Sequence, residues 1–197
     1  MNLPFQRSYW AVPGQLLAGC YPGSLDPAQM DEKLSGLVQA GVTMVVNLME
    51  EMETDHFGNT FHDYSPRLAT LAGEAERTII VRRFSIRDQS IPTPQLMQEI
   101  LQSIEEEIAA GGVVYVHCWG GKGRTATAVG CYFISQGLET PETVLSKLQT
   151  LTAHASDSFW PTPQTAEQCA FIKNWRSGTS THSIKWSVTA NGNHSAT

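Results

Sequence analysis

The segment that most constrains this chain is a glycine-rich junction between an apolar run and a helix-forming run. It reads His117-Cys118-Trp119-Gly120-Gly121-Lys122-Gly123-Arg124-Thr125, a cysteine and an arginine separated by five residues, three of them glycine. Gly112-Val113-Val114-Tyr115-Val116 leads in, and Thr125-Ala126-Thr127-Ala128-Val129 leads out. A buried strand therefore feeds a glycine-rich turn that opens a helix. Such a turn points several backbone N–H groups into one concavity, and the helix N-terminus adds its free donors and the positive end of its dipole. That field suits a phosphate, and it suits a thiolate equally. Arg124 closes the loop with a planar fork able to hold two phosphate oxygens, which lysine cannot do.

Cys118 thus stands where a phosphorus atom would be held, as a nucleophile. A plainer reading treats it as a buried core cysteine, a common fate for free thiols, with glycines serving only a tight turn. That reading leaves unexplained why three glycines, an arginine and a strand-to-helix switch coincide at this spacing.

The loop resembles the signature of the cysteine-based protein tyrosine and dual-specificity phosphatases, in which His-Cys is followed after five residues by Arg and then Ser or Thr. The Trp119-Gly120-Gly121 filling is most similar to the compact dual-specificity-type members. Leu16 to Gly23 followed by Gly41 to Leu48 resembles that family's opening strand, helix and second strand, and Phe84 to Pro92 its general-acid loop. Gln164-Thr165-Ala166-Glu167-Gln168 resembles the glutamine motif of the protein tyrosine phosphatases, and together these segments cover residues 10–176.

Composition agrees with one catalytic domain. A chain of 197 residues with 41% hydrophobic and 16% charged side chains can bury a sizeable core, and residues 1–176 are expected to form the phosphatase domain. Residues 177–197, rich in Ser, Thr, Asn and Gly, read as a flexible tail. A net charge of −6 argues against nucleic-acid or anionic-membrane partners. No window approaches the length of a membrane span, and the N-terminal residues lack an apolar core of signal-peptide length. Cys20, Cys118, Cys131 and Cys169 are scattered without metal-like or disulfide-framework spacing, so a cytoplasmic location is expected. The six histidines show no ligand pattern; neither metal nor other cofactor is expected.

Helical and strand patterns alternate as a layered α/β domain requires, a central, mostly parallel sheet flanked by helices. Helices are predicted over 30–40, 64–75, from Pro94 to the Gly111-Gly112 stop, and over 125–136, 141–151 and 164–175. Strands are predicted over 42–48, 78–84 and 113–116, the last central. The polar stretch 50–77 is expected to form part of the pocket rim, because it joins two strands whose ends approach the site.

A departing phosphate-ester oxygen needs a proton. Asp88 lies on a loop between a predicted strand and Pro92, thirty residues upstream of Cys118, where the resembling family carries its acid; Asp63 and Asp55 are its rivals. The mechanism this implies has Cys118 attacking phosphorus while Arg124 and the N–H groups of Trp119, Gly120, Gly121, Lys122 and Gly123 hold the equatorial oxygens. Asp88 protonates the leaving oxygen and then activates the water that hydrolyses the phosphocysteine. The Thr125 hydroxyl is expected to reach the Cys118 sulfur. Gln164 and Gln168, four apart on a predicted helix, share a face, and the resemblance implies that they place the water. His117 points to the other side of its strand and reads as scaffold.

The expected substrate is a phosphorylated protein or peptide, tyrosine or dual-specificity. Lys122 adds a cation at the pocket mouth, as in the phosphoinositide-directed branch of the family, which keeps a phosphoinositide or inositol phosphate as the alternative substrate. Against it, Trp119 stands where that branch usually carries a second basic residue. An inactive phosphate-binding module, a rhodanese-type sulfur transferase and a pure interaction scaffold are the remaining alternatives.

Overall fold

The structure, a computed structural model, describes residues 2–155 and 157–176; the expected tail from residue 177 lies outside them. In chain order the elements are β1 (Ser8–Val12), β2 (Leu16–Gly19), α1 (Pro27–Gln39), β3 (Met44–Asn47), α2 (Ser65–Glu74), β4 (Ile80–Arg83), α3 (Pro94–Ala109), β5 (Val114–His117), α4 (Arg124–Ser135), α5 (Val144–Leu151) and α6 (Ala166–Asn174). The sheet runs β1-β2-β5-β3-β4, parallel throughout except for the β1–β2 hairpin. This is the mostly parallel α/β arrangement that the alternating pattern demands, with β5 in the middle.

Strand periodicity sorts the core into two layers. Leu17, Val45 and Tyr115 lie side by side in register and face α1 and α2, packing with Leu34, Leu37, Leu68 and Ala72. The alternate residues Leu16, Ala18, Met44, Val46, Val114 and Val116 face the opposite layer, with Met97, Ile100, Ile104, Val129, Phe133 and Ile172. Because side chains alternate along a strand, His117 joins Tyr115 on the first face, and Cys118 belongs to the second. Burial on both faces is why these strands read as continuous apolar runs. Edge strand β4 is the exception: it is largely exposed, and only β3 pairs with it.

Helix starts follow capping chemistry. Asp26 accepts from the Ala28 N–H at 3.0 Å and Pro27 opens α1, so this helix begins three residues before the predicted Met30. Thr93 caps α3 ahead of Pro94, as expected from that proline. α5 begins at Val144 rather than at Pro141, the intervening residues forming turns. Strand β1 is absent from the expectations above; Tyr9-Trp10-Ala11-Val12 is apolar at every position, so although burial alternates along it the sequence carries no apolar–polar alternation.

Candidate active site

Strand β5 delivers His117 and Cys118 to the centre of the sheet's C-terminal edge, and the chain turns at once into α4. Gly121 has φ +77°, and a Cβ there would stand 2.6 Å from the Gly19 carbonyl carbon and 2.7 Å from the Cys20 nitrogen. Only glycine fits such a left-handed position pressed against another backbone. Gly123 is the N-cap of α4 and supplies no side-chain acceptor, which leaves the first-turn N–H groups available to an anion. α4 itself is buried from Arg124 to Phe133, so the dipole end acts in surroundings that exclude water.

Arg124 is 1% exposed, and three partners fix its guanidinium. Nη1 donates to Glu53 Oε2 at 2.6 Å and to the Ile86 carbonyl at 2.9 Å; Nη2 donates to Glu53 Oε1 at 2.7 Å and to Asp88 Oδ1 at 2.8 Å. Nε is buried with no partner among the described residues. Burial opposes the guanidinium charge, but the Glu53 hydrogen bonds and the charges of Cys118, Glu53 and Asp88 outweigh it and hold Arg124 above the ordinary arginine range. Glu53 escaped the sequence reading. The signal was the acidic run Glu50-Glu51-Met52-Glu53 directly after the apolar strand, where a buried carboxylate needs a cation.

Among the acid candidates, the geometry brings Asp88 to the loop. Neither rival touches Arg124. Asp63 accepts from the Ser65 N–H at 2.9 Å at the start of α2. Asp55 holds a tight turn through the N–H groups of Phe57 and Asn59 and the Asn59 amide, which keep its carboxyl below the usual range, the Asn59 side-chain bond contributing most.

Three expectations are corrected. Gln164 lies outside the helix: α6 starts later because Thr165 and Gln168 form a reciprocal capping box. Both glutamines nevertheless meet Gly123, where a Cβ would come within 2.5 Å of Gln164 Oε1 and 3.0 Å of Gln168 Nε2. Gln168 is fully buried and donates to the Ser90 carbonyl at 3.1 Å, tying α6 to the Asp88 loop. The Thr125 hydroxyl faces the Gly19 carbonyl at 3.5 Å instead of the Cys118 sulfur, as β2 runs beside it. Lys122 is absent from the mouth; its side chain is 5% exposed and turns to Asp157, with Nζ 3.4 Å from Oδ1.

Trp119 forms one wall. Its ring meets those of His56 and Phe61, with centroids 4.6 and 5.3 Å apart, so the 50–77 stretch borders the loop as expected of a rim. Beside it a cleft of about 120 Å³ is lined by Tyr21, Met49, Glu50, Phe61, Asp63 and Arg83. His117 is fully buried; its Nδ1 lies 3.1 Å from the Cys118 carbonyl and its Nε2 2.6 Å from the Tyr64 hydroxyl. The carbonyl can only accept, so Nδ1 carries the proton and Tyr64 donates to Nε2. Burial, reinforced by Arg124 and Arg83 and opposed by the carbonyl bond, lowers the His117 pKa to about 3, which keeps the ring neutral. Among the described residues no cluster of three or more His, Cys, Asp or Glu side chains is placed to hold a metal.

The mostly parallel sheet, the cysteine at the end of its central strand and the buried arginine at the head of the following helix form the architecture of the cysteine-based, dual-specificity-type phosphatase class. Residues 6–185 match the family described as "PTP-SAK: Swiss Army Knife protein, DSP-PTPase phosphatase domain", and the chain belongs to that family. The mouse protein "Phosphatidylglycerophosphatase and protein-tyrosine phosphatase 1" is 27% identical over 134 residues, covering 68% of this chain and 64% of its own length. Among solved structures, Tk-PTP in its active form superposes with a TM-score of 0.63 at 20% identity, over 86% of this chain and 95% of that one. PTPMT1 in complex with PI(5)P gives 0.61 at 20% identity, over 86% and 94%.

Proposed function

We propose that this phosphatase hydrolyses phosphomonoesters through a cysteinyl-phosphate intermediate, with phosphotyrosine-containing proteins or peptides as its preferred substrates. The observation that carries the proposal is the presentation of Arg124, a buried guanidinium aimed by Glu53 and still carrying an unpartnered Nε, at the head of the helix that follows Cys118. In this reading the Cys118 thiolate attacks phosphorus in line, the S–P bond forms as the ester P–O bond breaks, and Arg124 with the loop N–H groups holds the equatorial oxygens. Phosphate competes with Asp88 for Arg124 Nη2; the displaced carboxylate takes up a proton from solvent, gives it to the leaving oxygen as acid and then, a carboxylate again, takes one from the incoming water as base. Gln164 and Gln168, against Gly123, suit the water-positioning role. Thr125 acts in this scheme only if its hydroxyl turns from the Gly19 carbonyl to the sulfur.

The aromatic wall of Trp119, Phe61 and His56 favours a planar phosphoryl-bearing ring over a polyanion. A phosphoinositide or inositol phosphate is the second reading, favoured by the PTPMT1 complex with PI(5)P, whose fold this chain shares. An inactive phosphate-binding module is the remote third.

Turnover of a phosphotyrosine peptide and of a soluble phosphoinositide, each compared with Cys118→Ser, tests the proposal. The variant is expected to lose at least about a hundredfold in activity, an unactivated hydroxyl being a far weaker nucleophile than a thiolate, and to keep binding the ester through Arg124. Greater residual activity overturns the nucleophile assignment. A clear kcat/KM advantage for the phosphoinositide in the wild type overturns the protein-substrate reading.

A further inference from the structure

Lys122 is the one side-chain cation of the loop besides Arg124, and it is turned away from the place where a substrate could use it. The loop wall behind Gly120 and Gly121 borders a narrow, half-open cleft of about 10 Å³, which Arg7, Tyr9, Lys122, His154 and Asp157 help to line. That is room for roughly one water and far too little for a phosphate group. Lys122 therefore meets no second phosphate there. What holds it is charge: Asp157 Oδ1 lies 3.4 Å from Nζ, an ion pair without the alignment of a hydrogen bond. The other Asp157 oxygen pairs with Arg7 Nη2 at 2.8 Å, and the same nitrogen donates to the Gly120 carbonyl at 2.9 Å. His154 is occupied by the Ser8 carbonyl at 2.9 Å and leaves Asp157 the anion of this cluster.

An ammonium buried without a hydrogen bond stays only while a carboxylate faces it. Lysine's four-carbon stem is flexible, and Lys122 stands between Gly121 and Gly123, which put no side chain in its way. We propose that Asp157 is a specificity-determining residue: by holding Lys122 inside, it withholds a second cation from the pocket mouth and biases the enzyme toward esters with a single phosphate. The inference rests on the protein-substrate reading and extends it to the residue that enforces it. Without Asp157, solvation draws the ammonium out to the mouth, where it meets the extra phosphates of a polyphosphorylated substrate.

The experiment is a double-mutant cycle of Asp157→Asn and Lys122→Ala in the full chain. Its readout is the ratio of kcat/KM for a short-chain phosphatidylinositol bisphosphate to that for a phosphotyrosine peptide. Asp157→Asn is expected to raise this ratio roughly tenfold over wild type, the worth of one charge-assisted contact. In the Lys122→Ala background the same change is expected to leave it within about twofold. A ratio unmoved by Asp157→Asn, or a gain that persists without Lys122, overturns the proposal. So does an equal loss on both substrates, which would make Asp157 a prop of the loop. Asp157→Ser is the second variant; failure of both to fold overturns the proposal in the same way. Because the cycle compares variants with their own parents, it stands apart from the wild-type preference that tests the protein-substrate reading.

Discussion

At Arg124 two carboxylates and a carbonyl converge on one guanidinium, and they divide its work. Glu53, buried and bidentate, sets the plane of the fork, since a pair with both partners desolvated leaves little rotational freedom. Asp88, with a side chain 35% exposed, is the partner that can leave. Asp88→Asn is therefore expected to lower kcat by roughly 10²–10⁴ on an alkyl or phenyl phosphate, the range of general acid catalysis. The loss should shrink on p-nitrophenyl phosphate, whose leaving group needs less protonation. Parallel steady-state measurements check this; equal losses on good and poor leaving groups would move the acid elsewhere. Residues of this kind differ in how far they can be read from sequence. Cys118, Arg124 and the glycines follow from local spacing, because one turn assembles them. Glu53 is not local: it meets Arg124 across 71 positions, and only the fold brings them together. Lys122 misleads for the opposite reason, its position in the loop being local while the carboxylate it turns to, Asp157, lies on a distant segment.

The loop between β5 and α4 is rigid because its neighbours leave it no room. Gly121→Ala would place a methyl against the Gly19–Cys20 backbone as well as forcing an alanine to φ +77°. Gly137 offers the contrast, with φ +64° and nothing within 4 Å of a Cβ. Gly137→Ala is expected to cost about 1 kcal/mol, from backbone conformation alone. Gly121→Ala is expected to cost about 2–4 kcal/mol, adding a clash that backbone cannot relieve, and to lose most activity. Urea denaturation and turnover of both variants check the pair; equal stability losses would mean that the backbone approach is softer than its distances. Elements with long apolar periodicity, such as α3 and α4, were legible to within a residue or two. Those whose limits depend on caps were less so: α1 begins at an Asp-Pro pair that apolar periodicity does not register, and α6 begins where Thr165 and Gln168 cap each other, beyond Gln164.

Across the whole molecule, the sheet separates two jobs that adjacent residues perform. Alternation sends Cys118 to the α3–α6 layer and His117 to the α1–α2 layer, where Tyr64 at the start of α2 donates to it and Tyr115 stacks on it at 5.7 Å. The α/β class and the central place of β5 were legible in alternating patterns; the aromatic enclosure of His117 was not, since Tyr64 comes from a segment with weak periodicity. That enclosure has a consequence for acid stability. Burial lowers the folded-state pKa of His117 to about 3, against an ordinary value of 6.5. Between these two values the unfolded chain binds a proton that the folded chain refuses. The stabilisation from keeping the ring neutral is therefore fully present above pH 6.5 and is lost progressively as pH falls toward 3, at up to about 1.4 kcal/mol per pH unit. Other groups titrate over part of this window, so the wild-type curve alone does not isolate the histidine. His117→Gln removes the titration while keeping an amide able to reach Tyr64 or the Cys118 carbonyl. The variant should be less stable than wild type at pH 7, and the gap should narrow by about 2 kcal/mol by pH 5. Urea unfolding of both proteins across that range measures the gap directly. Curves that stay parallel would mean that the ring accepts a proton while folded, and that its enclosure between Tyr64, Tyr115 and the Cys118 carbonyl opens more easily than their contacts suggest.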